Sequence, residues 1–175
     1  MDAESLIEGM KRDHRRVLAE VSKLEERLRR GGVSRAPSAA RLAALVAMLQ
    51  GEFGTHMAAE DDVLYPALLA VIPAAGGSVA PLFDEHAELR VMLERLEQTM
   101  REDSDPERDE QIAVQVGDLA ELLRIHIRKE ESLVLSVAAR LLRPSDLEAV
   151  MERLDPGRAR TGPGISEKTT KGEAR

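Results

Sequence analysis

Residues 119–137 read LAELLRIHIRKEESLVLSV, and the spacing within them decides the fold. Leu119, Leu123, Leu133 and Val137 fall three or four apart once His126 and Glu130 are counted into the same stripe. That is the period of an amphipathic helix, whose apolar side faces a core. A histidine and a glutamate therefore stand where two core residues are expected.

Three further segments repeat the pattern. The first helix is expected from about Ala3 to Arg30, stopped by Gly31-Gly32, with Leu6, Met10, Val17, Val21, Leu24 and Leu28 interrupted by His14. The second follows Pro37-Ser38, where Ser38 is a candidate N-cap, and carries Leu42, Leu45, Leu49, Phe53, Leu64, Leu68 and Val71 around His56 and Glu60. Pro66 is a candidate kink in it. The stretch from Pro73 to Ser78 reads as a loop. The third helix, from about Val79 to Arg101, carries Leu82, Leu89, Leu93, Leu96 and Met100 around His86. After the polar turn REDSDPERDE, Asp105-Pro106 has the form of a cap with proline at the first helical position. The fourth helix adds Ile112 and Val116 before residue 119 and Leu141 after it, and Pro144 ends it. A short helix is expected from Ser145 to Leu154, and residues 155–175 have almost nothing to bury and read as a disordered tail. The expectation is an all-α protein: an up-down-up-down antiparallel four-helix bundle over residues 1–154, forming one domain.

Composition narrows the alternatives. Phe53, Tyr65 and Phe83 are the whole aromatic complement, so the core must come from Leu, Val, Ala, Met and Ile, a palette unlike that of a β-sandwich. The absence of cysteine excludes disulfides, iron–sulfur clusters and thiol nucleophiles. A net charge of −7 gives no reason to expect nucleic acid as a partner. No apolar run approaches the ~18 residues of a membrane span, and the N-terminal stretch is amphipathic rather than signal-like, so no membrane and a cytoplasmic location are expected.

The four histidines number one per helix, and every one falls on an apolar stripe. On helices with a ~3/7 apolar face that would happen by chance about 3% of the time. Along the expected helices they lie about 24, 27, 22 and 28 Å from the connecting turns, so the four rings share one layer. Glu60 and Glu130 follow His56 and His126 by four residues, one turn away on the same face. Two carboxylates buried among apolar walls cost several kcal/mol each unless paired or bound to metal. His14, His56, Glu60, His86, His126 and Glu130 are therefore the candidate metal ligands, and imidazole with carboxylate suits iron, manganese or zinc. A single buried histidine is more often an ordinary core residue; six such positions at one level are not.

No Glu-x-x-His pair or His-Glu-x-x-His motif is present, which sets aside ferritin-like bundles and zinc proteases. Asp13-His14, HMAAEDDVLYP (residues 56–66), DEHAELR (residues 84–90) and HIRKEESLVL (residues 126–135) resemble the hemerythrin-like, HHE cation-binding family over about residues 4–142. The resemblance implies two iron ions, oxo- or hydroxo-bridged, with His14 and His56 on one, His86 and His126 on the other, and Glu60 and Glu130 between them. It implies a small ligand: dioxygen, peroxide or nitric oxide. Oxygen carriers of this family have a further histidine four residues after the third-helix ligand, and here Arg90 stands there. That shifts the expectation from a carrier towards peroxide or nitric oxide handling. Carriers also place the last carboxylate five residues after the final histidine, so Glu131 competes with Glu130; the i+4 direction favours Glu130. Glu52 could support a ligand ring and Tyr65 could approach a vacant position, though a solvated flank and helix-end packing explain them as well. Phe53 and Phe83 could wall the site. Two other readings remain: a non-catalytic iron- or oxygen-responsive sensor module, and a structural zinc or manganese site.

Overall fold

The computed structural model describes residues 3–31 and 36–154; the expected tail, 155–175, lies outside them. The described residues are all helical apart from turns, with no strand among them. Helix α1 is Ala3–Gly31. Helix α2 spans 36–71 without a break: α-helical segments Ala36–Met48, Gly54–Ala59 and Tyr65–Val71 are joined by wider π turns at Leu49–Phe53 and Glu60–Leu64. It starts ahead of Ser38, which is therefore not its cap. A short 3-10 turn, Pro73–Ala75, leads directly into α3, Gly76–Met100, so the expected loop is mostly helix. Helix α4 spans 106–141, with a π turn at Glu130–Leu135. Its start is as expected: Pro106 occupies the first turn, and the Asp105 carboxylate accepts from the Arg108 N–H at 2.8 Å. Helix α5 is Pro144–Leu154.

The two π turns of α2 have local features that suit them. Pro66 lacks the N–H that would bond to Asp62, and its ring would crowd that carbonyl in a regular helix. The turn widens just ahead of it, and the Tyr65 N–H reaches back five residues to the Glu60 carbonyl. At the other π turn of α2, a Cβ on Gly54 would lie 3.3 Å from the Leu49 carbonyl oxygen, so glycine suits the position.

Each widened turn also shifts the inward face by about one residue. Beyond Glu130, the α-helical period expects Leu133 and Val137 inside. Leu133 is instead 48% exposed and Val137 is only partly buried, while Val134, Leu135 and Ala138 are buried. Val71 at the end of α2 is likewise exposed, and Tyr65 is fully buried.

The core is two apolar clusters. One joins Val17–Leu28 of α1, Leu42–Met57 of α2, Leu89–Leu96 of α3 and Ile112–Ile127 of α4 through their buried residues. The other joins Leu6, Ile7 and Met10 to Leu64, Tyr65, Leu68, Val79, Leu82 and the end of α4. Helix α5 completes the second cluster with Leu147 and Val150, packs along residues 54–64 of α2, and ties Arg153 to Asp62 at 2.8 Å. Along every one of the first four helices, the candidate ligands fall at the boundary between the clusters. Among the described residues no helix is long and apolar enough to cross a membrane.

Candidate metal centre

His14, His56, Glu60, His86, His126 and Glu130 meet in that boundary layer, none more than 1% exposed. His14, His56, Glu60 and Glu130 bring donor atoms within 4.8 Å of one another, and so do Glu60, His86 and His126. The Nε2 atoms of His14 and His56 are 3.1 Å apart, and those of His86 and His126 are 3.0 Å apart. Glu60 lies between the pairs, with Oε1 2.6 Å from His56 Nε2 and Oε2 3.4 Å from His86 Nε2. Glu130 Oε2 is 3.1 Å from His14 Nε2 and 4.0 Å from His126 Nε2.

The other nitrogen of each ring faces a carboxylate from a neighbouring helix. Asp13 of α1 lies 3.4 Å from His56 Nδ1 on α2, and Asp61 of α2 lies 2.6 Å from His86 Nδ1 on α3. Glu85 of α3 lies 3.0 Å from His126 Nδ1 on α4, and Glu131 of α4 lies 3.1 Å from His14 Nδ1 on α1. The four carboxylates thus form a closed ring around the bundle. A carboxylate at Nδ1 puts the ring proton there and leaves the Nε2 lone pair aimed inward. Each of the four is the sequence neighbour of an inward residue, about 100° round its helix and so aimed at the adjacent one. That adjacency is the signal that would have found them.

Protonation follows from burial. Burial and the nearby Glu130 charge push the Glu60 carboxyl well above the usual carboxylate range. Burial also opposes the Glu130 charge, but His14 outweighs it and brings Glu130 to about 2. Burial disfavours a charged His56; Glu60 and Asp13 override it, raising His56 to about 10. Burial and the neighbouring His86 lower His126 to about 4.

The donor set fits a cation. Glu60 Oε1, Glu60 Oε2 and Glu130 Oε2 are buried and receive no hydrogen bond, an expensive arrangement for carboxylates unless positive charge stands between them. Nitrogens about 3 Å apart suit neighbouring positions of an octahedral ion; tetrahedral donors about 2.1 Å from an ion stand about 3.4 Å apart.

The profile of one protein family, the hemerythrin HHE cation binding domain, matches residues 5–138. The chain belongs to that family. No curated protein and no solved structure matches it. In this hemerythrin-like chain the family match ends before α5, which covers the ligand-bearing stretch of α2 from outside it.

The remaining candidates divide. Glu130 is at the centre, whereas Glu131 supports His14 from the rim. Arg90 points outward, 44% exposed, and holds Asp61 at 2.7 Å, so it acts on His86 only through that carboxylate. Glu52 pairs with Arg16 at the surface rather than with a ligand ring. Tyr65, read as a helix-end residue, is instead part of the site: its hydroxyl donates to Glu130 Oε1 at 3.3 Å and its ring stacks on His86. The π turn at residues 60–64 carries it inward, a rotation that a regular helical period does not predict. Burial and the Glu60 and Glu130 charges keep its phenol protonated. Phe53 stacks on His56 with centroids 5.3 Å apart, and Phe83 meets the edge of Tyr65 rather than a ligand.

Proposed function

We propose that this chain is a non-haem di-iron protein that binds or reacts with dioxygen, hydrogen peroxide or nitric oxide. His14 and His56 would hold one ion and His86 and His126 the other, with Glu60 and Glu130 standing between the two pairs. The observation that carries the reading is Glu60, which faces one histidine pair with each oxygen and has no hydrogen-bond donor of its own. The topology proposed with it is up-down-up-down. Its support is that one apolar cluster draws on the C-terminal parts of α1 and α3 and the N-terminal parts of α2 and α4.

Once bound, the two ions supply redox chemistry and positions open to a small ligand. The chain's own contribution is orientation and exclusion of water. Four carboxylates fix the rings from outside, two apolar clusters close the layer from above and below, and Phe53 and Tyr65 wall it with aromatic faces. The Tyr65 hydroxyl donates to one oxygen of Glu130 and so places a neutral O–H beside the pair. Arg90, standing where carriers have a histidine, favours turnover of peroxide or nitric oxide over simple carriage.

His56→Ala tests the proposal. Iron content should drop by at least half relative to the parent, and peroxide or nitric oxide turnover should be lost, while circular dichroism reports the same helicity. Iron content and turnover both unchanged would sink it.

A further inference from the structure

The two halves of the centre are not equivalent. Both central carboxylates lean the same way. Glu60 is 2.6 Å from His56 but 3.4 Å from His86, and Glu130 is 3.1 Å from His14 but 4.0 Å from His126. The free oxygen of Glu130 is not available to redress this, because Tyr65 donates to it. The His14/His56 half consequently gathers four donors, and the His86/His126 half gathers three.

The outer ring differs between the halves in distance and in charge: the carboxylates behind His86 and His126 stand closer (2.6 and 3.0 Å) than those behind His14 and His56 (3.1 and 3.4 Å), but each of the closer two also carries a cation. Asp61 and Glu85, which back His86 and His126, are each held by a cation, Arg90 and Lys129 respectively. Asp13 and Glu131, which back His56 and His14 respectively, make no ion pair with a lysine or arginine among the described residues, although the Arg12 charge also acts on Asp13. A carboxylate at Nδ1 makes an imidazole a stronger donor to metal, and a lysine or arginine on that carboxylate weakens the effect. Carboxylate lean, with the donor count that follows from it, and the cations on the outer carboxylates both rank the His14/His56 half first.

We propose that the halves fill in order: the His14/His56 half takes the first ion tightly, the His86/His126 half takes the second more weakly, and a one-metal form is a populated state. This rests on the two-metal reading above. The exchangeable ion is then the one beside Tyr65.

Anaerobic titration of the chelator-stripped full chain with cobalt(II), followed by absorbance and by competition with a chelator, tests the order. Two steps separated by at least about tenfold in affinity are expected. Glu131→Gln should weaken the first step and Glu85→Gln only the second, each by about 10–100-fold, the usual effect of losing an outer carboxylate. Both are changes at the rim of the bundle that leave its core intact. Uptake of two ions in one step of equal affinity, or weakening of the tight step by Glu85→Gln, would overturn the order while leaving the two-metal reading standing. Saturation at one cobalt or none would overturn the two-metal reading itself, and the order with it.

Discussion

At the scale of single residues, the centre holds protons where metal needs lone pairs. Without an ion, burial and Glu130 favour a protonated Glu60 carboxyl while the Glu60 and Asp13 carboxylates favour a protonated His56, so the two groups hold their protons as a pair. A cation must displace what the pair holds, since it binds carboxylate and neutral imidazole. Loading near pH 7–8 should therefore release roughly one to two protons per chain, and affinity should climb with pH until about pH 10, where His56 has already lost its proton. His126, lowered to about 4, contributes none. Calorimetry in buffers of different ionisation heat counts the protons; release of none would mean that His56 and Glu60 are not ligands. The sign for the metal-free fold is opposite. A raised His56 stabilises it fully below the ordinary value of 6.5, and that contribution fades as pH rises through about 10.

At the scale of the element, the widened turns decide which side chains are inside. Leu133 and Leu135 both lie within the π turn of α4, two residues apart, yet one is 48% exposed and the other fully buried. Leu135→Ala should cost about 2–5 kcal/mol in denaturant unfolding, against less than about 0.5 kcal/mol for Leu133→Ala. The reverse order of costs would mean that the helix keeps its regular period through Glu130. The same feature marks what could be read from the sequence. Leu6 to Leu28 of α1 and Leu82 to Leu96 of α3 were legible because those helices are regular and the period holds throughout. Leu133, Val137 and Val71 were misplaced because nothing in side-chain polarity announces a turn of five residues. Pro66 was legible as a disturbance, but its consequence, the rotation of Tyr65 onto Glu130, required the backbone.

At the scale of the molecule, a polar layer divides an apolar core, and four helices each contribute one histidine to it. Such a layer was legible because histidine is rare here and each copy interrupts an otherwise unbroken stripe. The carboxylate ring outside it was not, since acidic residues at helix flanks are ordinary and only the packing of one helix on the next gives them partners. With a cation, the layer links α1, α2, α3 and α4 at one level; without one, it leaves both oxygens of Glu60 and Oε2 of Glu130 buried and undonated. The central claim is thus about what fills the layer. Its most direct test is elemental analysis of the purified full chain after anaerobic reconstitution with ferrous iron. About two irons per chain are predicted, as six shared donors for a metal pair require. A chain that takes up no iron, or that holds a single zinc and refuses iron, would contradict it.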